Sequence, residues 1–501
     1  MIRKTYIFAL VILLCSAFLR LYRFETFVEF LDDQGRDAII MKKILVNHDI
    51  TLLGPGTSVG KMYLGPLYYY VMSPFLALTY PSPIGPAVAV ALLGVMTSVG
   101  VYLVGRNVIG EYGARVGAVL YTFSPIVIKL SRFSWQPNPA PFVGLMMMWW
   151  TYKAVQEKNP WYWVGVATCF AVLTHLHYVA LLSALPTVVV LIYDLRRSWG
   201  RVPLRTMVSI ALCCLGILIL SILPLFAFDL RHDHLIVKGF MEFSQDQQRS
   251  SPLLSRIWQA IVDSHGRSMQ MTVELYGFSK EMRGINTLVV GILTVLFVYV
   301  WKQSKKTPKL FHGMTIVGLW MALSLVGMSI YRDTMYFHYF GFLFPISFLF
   351  GGAALAWAMQ KNVWIKNILS LSILVFITYL VVRMPYWTED PLGFRGVRSV
   401  SQNLTSFIKP GQKYNIALLN DNREYRAMKY RYFFEVSKVP AQTEYQYTGL
   451  DTLIVLVENG EDPVGSPIFE IQQFMREHPK SSLLTVRDYP GIVKAYVYTA
   501  Q

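Results

Sequence analysis

Apolar residues along this chain fall in long unbroken runs, without the two-residue alternation of a strand or the one-sided stripe of a soluble helix. Eleven such runs lie near 5–22, 84–105, 112–130, 138–155, 161–175, 178–194, 206–228, 285–302, 310–330, 338–358 and 364–383. Each has the length and polarity of a helix that crosses a hydrocarbon core about 30 Å thick. Residues 1–383 are therefore expected to form a mainly α, polytopic membrane domain of about eleven transmembrane helices. Two segments between the first and second runs depart from the pattern. Asp33 to Val46 reads as a helix lying along the bilayer interface, with Ala38, Ile39, Met41, Ile44 and Leu45 on its apolar side. "YLGPLYYYVMSPFLALTY" is apolar throughout, but Pro66 and Pro74 divide it, so it too is placed at the interface.

After Arg383 the pattern becomes that of a water-soluble fold. "KYNIALL", "DTLIVLV", "SLLTVRDY" and "IVKAYVYT" read as strands, with helices starting near Glu424 and Pro467. A small α/β domain with a partly parallel sheet is expected over 384–501. Asn420 and Asp421 end its first strand, a place where such sheets bind ligands and also where a plain Asx turn belongs.

Composition agrees with the membrane reading: 54% of the 501 residues are hydrophobic, 14% aromatic and 15% charged, and the mean hydropathy is +0.40. The formal charge of +16 would suit a nucleic-acid binder, but its distribution argues otherwise. With a cytoplasmic N-terminus, the inner loops hold Arg106 and Arg115, Lys153 and Lys158, Arg196, Arg197, Arg201 and Arg205, Lys302 to Lys309, and Lys361 and Lys366. That is the positive-inside rule met loop after loop, so nucleic acid is not an expected partner. The first run follows Arg3 and Lys4 like a signal peptide, but Arg20 to Arg23 offer no small-residue cleavage site, and it reads as a retained anchor. Cys15, Cys169, Cys213 and Cys214 all sit in apolar runs, suggesting neither a disulfide framework nor a zinc site.

This topology puts a first loop (24–83), "SRFSWQPN", a long loop (229–284) and the C-terminal domain on the outer face of the cell membrane. "HLHY" and "YRDTMYFH" emerge there as well. The first loop carries Asp32, Asp33, Arg36 and Asp37 beside lipid, where ionised groups are costly. Asp32 or Asp33 would serve simply as a helix cap, but a cap needs one acid, and Arg36 and Asp37 lie three and four residues on from Asp33, sharing its side of the helix. Arg132 and Asn138, with Trp135, form either an interface belt or part of a site. His175 and His177 are two apart, which places them on different faces and makes no metal pair; one is expected to reach an outer cavity while the other packs. Arg231 and His232 stand at the end of a span, where solvation explains them as well as function does, and Arg332 and His338 sit where the chain turns back into lipid. Lys129, Arg132, Arg231 and Arg332 together would make a phosphate clamp.

Taken in order, "FLDDQGRDA", "YLGPLYYYVMSPF", "SRFSWQPN", "HLHY", "FDLRH" and "HYFGFLFP" resemble prokaryotic relatives of the dolichyl-phosphate-mannose protein mannosyltransferases, a family that includes the lipid A aminoarabinose transferase. The match runs from about Phe27 to Pro345 and leaves the C-terminal domain out. The resemblance implies a GT-C-type membrane glycosyltransferase that moves a sugar from a polyprenyl-phosphate carrier to an extracytoplasmic lipid, glycan or protein. It places the catalytic base at Asp33, with Asp32, Arg36, Asp37, Tyr68, Tyr69, Arg132, Asn138, His177, Arg231, His232, Arg332 and His338 as substrate contacts. Gln34 stands where many relatives have Glu, and Leu64 where many have a phosphate-binding Lys; Lys61, three residues earlier, is the substitute candidate. No cofactor is required by such an inverting displacement, although Asp32 and Asp33 leave a divalent ion open. A lipid-linked sugar flippase would also need polar groups facing a carrier, but should carry charges near the bilayer midplane instead of gathering them at one face. A membrane scaffold displaying the C-terminal domain leaves the first-loop charges unexplained.

The topology is checked by single cysteines. Those placed in 194–205 or 302–309 should resist an impermeant thiol reagent in intact cells, and one near Glu461 should label; labelling at 302–309 without labelling near Glu461 overturns the orientation.

Overall fold

The computed structural model describes residues 2–57, 62–248, 253–276, 283–330, 335–388 and 393–500. All eleven apolar runs are helical. Eight helices among the described residues are long and apolar enough to cross a membrane, starting at Lys4, Ile84, Tyr178, Leu204, Gly284, Pro308, Phe337 and Val363. The other three are shorter or broken. Glu111–Phe123 stops where Ser124 turns extended before Pro125, then resumes as Pro125–Leu130. Ala140–Glu157 and Tyr162–Leu176 complete the set.

Two spans open with a tight 3-10 segment, Tyr178–Ser183 and Phe337–Leu343, before continuing as α-helix. These segments pack against each other at one end of the bundle. Phe337–Leu343 also lies against Ala140–Glu157 with almost no space between: a Cβ added at Gly144 would stand 2.2 Å from the Phe342 carbonyl oxygen.

The described parts of the 229–284 segment, expected as a long loop, are mainly helical. Asp229 accepts from the Ile236 amide at 2.7 Å and so starts the helix Leu235–Gln248. A second helix, Leu253–Tyr276, returns along Pro308–Ile330; Gln270 donates to the Met335 carbonyl at 2.7 Å, and Ser124 donates to the Leu275 carbonyl.

The first loop departs from expectation in a second way. Its helix, Asp32–Lys42, runs on into a π-helical turn, Lys43–Asn47, as anticipated in extent, but its apolar side does not face lipid. Ala38, Ile39 and Met41 are buried in protein, between the helix Leu67–Thr79 and the C-terminal helix Met428–Glu435. Leu67–Thr79 contains Pro74 and has 13 residues, about 20 Å of helix and too short to cross.

The C-terminal domain holds strands β1 (Tyr414–Leu419), β2 (Thr452–Val457), β3 (Ser482–Tyr489) and β4 (Val493–Thr499). Their order is β1-β2-β4-β3, with β1 and β2 parallel and the other pairs antiparallel. Every residue of β1 and β2 is buried, as expected of continuous apolar strands covered on both faces. Helices Met428–Glu435 and Phe469–Glu477 stand near the expected places. The helix Phe394–Thr405 was not foreseen: it is polar on average and shows itself by spacing alone, burying Phe394, Val397, Val400, Ser401 and Leu404.

Close packing at Gly144 has a measurable consequence. Gly144→Ala should lower thermal stability in detergent by the equivalent of about 1–3 kcal/mol through overpacking, whereas Gly216→Ala, whose added Cβ meets nothing within 4 Å, should be neutral or slightly stabilising. Equal midpoints for Gly144→Ala and the unchanged protein would show that the Phe337–Leu343 segment can give way.

Candidate active site

The Asp32–Lys42 helix is not capped by either opening aspartate. Its N-cap is Leu31, whose amide is taken by the Gln34 side chain at 2.8 Å. Asp32 and Asp33 are thereby free for other contacts, and they diverge. Asp32 turns toward the C-terminal domain and accepts from the Lys429 amide at 3.3 Å. Asp33 accepts from Arg36 Nη1 at 2.7 Å and remains 44% exposed. Arg36 reaches Asp37 with its other edge, Nη2 to Oδ1 at 2.8 Å and Nε to Oδ1 at 3.0 Å. Asp37 is fully buried and also accepts from Tyr69 Oη at 3.1 Å. Burial pushes the Asp37 carboxyl above its ordinary range, and the Arg36 charge opposes that shift. Burial likewise works against the Arg36 cation, but Asp37 and Asp33 outweigh it and raise its pKa. The result is a chain Asp33–Arg36–Asp37–Tyr69 whose outer end is exposed and whose inner end is fixed.

Asp33 lines a cavity of about 980 Å³, within the size range of small-molecule sites. Its lining is largely apolar, with Phe133, Leu182, Phe240 and Met328 among others, and its polar groups include Asp33, Glu29, Lys129 and His177 and residues of the two 3-10 segments. Lys129 and Glu29, both in the lining, pair at 3.6 Å from Nζ to Oε2, with Lys129 56% exposed. His177, Trp135, His338 and Tyr339 form an aromatic corner: the His338 ring is 4.4 Å from Trp135, and His177 is 4.4 Å from Tyr339. Burial lowers the His177 pKa to about 4, which leaves a neutral imidazole at physiological pH.

Asp33, His177 and His338 are thus brought together, and several other expected contacts are not. Arg132 turns away from the cavity: it is 1% exposed, donates to the Leu19 and Tyr22 carbonyls at 2.9 and 2.8 Å, and lies over the Tyr386 ring. A buried guanidinium needs those carbonyls, so Arg132 ties the end of the first span and supplies no phosphate contact. Asn138 donates to the Phe133 carbonyl and holds its own turn. Arg231 and His232 are exposed at the end of the helix Leu204–Arg231, with His232 stacked on Phe228 at 3.8 Å, and neither lines the cavity. Tyr68 bonds Ser134 at 2.6 Å, and Tyr69 bonds Asp37 and so holds the aspartate helix; neither lines the cavity. His175 is packed, with Nε2 2.9 Å from Ser221. Lys61 and Arg332 lie outside the described residues. Because Asp32 and Asp33 point to different partners, they do not form a shared ligand pair, and no group of three or more His, Cys, Asp or Glu is placed to hold a metal ion among the described residues.

The family model for the dolichyl-phosphate-mannose-protein mannosyltransferases matches residues 64–223. In fold, the chain is similar over 99% of its length to 97% of ArnT from Cupriavidus metallidurans bound to undecaprenyl phosphate, at 14% identity and a TM-score of 0.58. It is also similar to the Archaeoglobus fulgidus oligosaccharyltransferase in complex with zinc and sulfate, over 89% of this chain and 67% of that one, at 13% identity and a TM-score of 0.54. The family match covers less than half of the chain, and at these identities the likeness to the two solved structures shows a shared fold. No curated protein matches it in sequence.

Among the cavity-lining residues that the sequence reading did not single out are Glu29, Tyr178 and Tyr336, which lie inside or beside the quoted motifs but carry no spacing signal of their own. Lys129 was visible as a cation at the right end of a span, but nothing in sequence separates it from Arg132, four-fifths of a helical turn away. Asp32 has a testable titration. Burial raises its pKa to about 6, with Lys429 opposing and Glu424 and Glu458 adding to the shift. A raised carboxyl pKa means that the folded state holds the proton more tightly than the unfolded chain. The stabilisation is therefore complete at low pH and lost as the pH rises through about 6, a cost on the order of 3 kcal/mol at neutral pH. Asp32→Asn should raise the thermal midpoint at about pH 7.5 and by well under half as much near pH 4.5, where most of the penalty has yet to build up; an equal shift at both values would remove Asp32 as the titrating group.

Proposed function

We propose that this protein is a membrane glycosyltransferase that takes a sugar from a polyprenyl-phosphate donor and passes it to an extracytoplasmic acceptor. The observation that carries the reading is one largely apolar cavity whose lining includes a part-exposed carboxylate and an exposed ammonium, Asp33 and Lys129. A polyprenyl-phosphate sugar divides the same way: an isoprenoid tail that belongs in lipid, and a charged head that belongs at the surface. The matched family and the ArnT structure, whose ligand is undecaprenyl phosphate, support the donor class.

In the proposed reaction the acceptor hydroxyl attacks the anomeric carbon while Asp33 takes its proton. The bond from that carbon to the phosphate oxygen breaks with its electron pair on the phosphate, and Lys129, exchanging Glu29 for the phosphate, stabilises the charge that leaves. One displacement inverts the anomeric centre. Arg36 orients Asp33 through its 2.7 Å contact, and the neutral His177 and the Trp135–His338 corner supply the uncharged polar and aromatic surface that a sugar ring stacks on. The reaction as proposed uses no cofactor and no nucleic acid. The enzyme would sit as a multi-pass protein of the cell (inner) membrane, N-terminus cytoplasmic and C-terminal domain outside. A flippase reading is disfavoured because the polar residues of the cavity gather at one end of the bundle.

Purified protein given a panel of polyprenyl-phosphate sugars should transfer from at least one of them and from no nucleotide sugar alone. At equal membrane abundance Asp33→Asn should lose about a hundred- to ten-thousand-fold in turnover, since the amide keeps the shape but not the base. Near-normal turnover in that variant removes Asp33 from the reaction.

A further inference from the structure

The C-terminal domain carries none of the cavity residues, yet it is fastened along the helix that carries Asp33. At the N-terminal end of that helix, Asp32 accepts from the Lys429 amide, at the start of the helix Met428–Glu435. One residue beyond Asp33 on the other side, Gln34 is buried, and at Gly35 the two helices touch: a Cβ there would stand 2.3 Å from the Met428 carbonyl oxygen and 2.6 Å from the Lys429 nitrogen. Farther along, Lys42 pairs with Glu435 at 2.9 Å and Lys43 reaches Glu444 at 3.9 Å. Just ahead of the helix, Phe30 is set among Phe394, Tyr432 and Phe433, with ring centroids 5.5 to 6.2 Å apart. Lys429 is itself held from behind by Glu458, at the end of β2, at 2.8 Å.

We infer that the C-terminal domain is a positioning clamp for the catalytic helix, with Gly35 and the Asp32–Lys429 contact as the point where its placement fixes Asp33. The argument is geometric. Asp33 lies between these two contacts in sequence, so the backbone that bears it cannot shift relative to the domain without breaking the Asp32 hydrogen bond or opening the Gly35 approach. Polar and aromatic contacts at both ends of the helix resist its rotation as well as its translation. Displacing a reacting group by about 1 Å costs about a hundredfold in rate, so a clamp of this kind acts on turnover more than on donor binding, which belongs to the cavity on the other side. The charged groups around Asp32 are Lys429, Glu424 and Glu458; Glu424, on the turn that precedes Met428–Glu435, also faces Asp33 and Arg36.

The inference rests on the proposed transferase reading for its effect on rate, and on contacts alone for the clamp. The test therefore has two arms, both on the full chain. In hydrogen–deuterium exchange, Gly35→Ala should raise exchange in 32–42 and in 428–435 together and leave the spans at 84–108 and 308–330 unchanged. In steady-state transfer from the polyprenyl-phosphate sugar that the unchanged protein uses, Gly35→Ala should lower kcat at least about tenfold with donor KM within about twofold. Asp32→Leu should do the same, and Asp32→Asn, which keeps an acceptor oxygen for the Lys429 amide, should exceed Asp32→Leu at least about fivefold in kcat. Unchanged exchange in Gly35→Ala overturns the clamp. Released helices with unchanged kcat, or a rise in donor KM that accounts for the loss, overturn positioning. Released helices in a protein whose unchanged form transfers from no polyprenyl-phosphate sugar overturn the transferase reading and uphold the clamp.

Discussion

A helix that opens with two aspartates and carries an arginine and a third aspartate beside a bilayer must find protein partners for its charges, because lipid offers none. Everything at this end of the bundle is arranged around the Asp32–Lys42 helix. Asp37 is buried on Arg36 and Tyr69, Asp32 goes to the C-terminal domain, and Asp33 alone stays open to a cavity. Ion pairs in such places add little net stability, since desolvation offsets most of the attraction. What they supply is direction: with Asp37 fixed, Arg36 is fixed, and Arg36 sets Asp33.

The C-terminal domain meets part of the same constraint through its contacts with this helix. A lone amphipathic helix at an interface would be free to roll. Sandwiched between Leu67–Thr79 below and Met428–Glu435 above, the charged helix instead has its apolar residues Ala38, Ile39 and Met41 in a protein core, and the glycine at 35 lets the two backbones meet. The core is continuous from the spans through this helix into the domain, which is why the two parts behave as one end of one structure.

The cavity divides its work by solvation. Its apolar lining comes both from spans, as at Met328, and from the segments between them, as at Phe133 and Phe240, and polar lining residues come from the short turns where spans stop: Lys129 at the end of Pro125–Leu130, His177 before Tyr178–Ser183, and His338 within Phe337–Leu343. Interrupted helix geometry is concentrated in these turns, where two spans begin as 3-10 helix and Pro125 breaks a third. Such breaks let side chains from several spans converge without unpaired backbone in lipid.

By itself the sequence determined the class, the positions of all eleven helical runs and the four strands, because hydropathy and strand alternation are local quantities. It could not separate Lys129, which faces the cavity, from Arg132, which is bound to the carbonyls of Leu19 and Tyr22 more than a hundred residues away. Nor could it show that the helix Leu253–Tyr276 packs along Pro308–Ile330, or that Asp32 and Asp33 part company. Those outcomes depend on which distant backbone groups need a partner, and that is decided only when the chain has packed. The helix Phe394–Thr405 and the seat of Met428–Glu435 on Gly35 are of the same kind: their residues look like ordinary surface until a second element arrives to cover them.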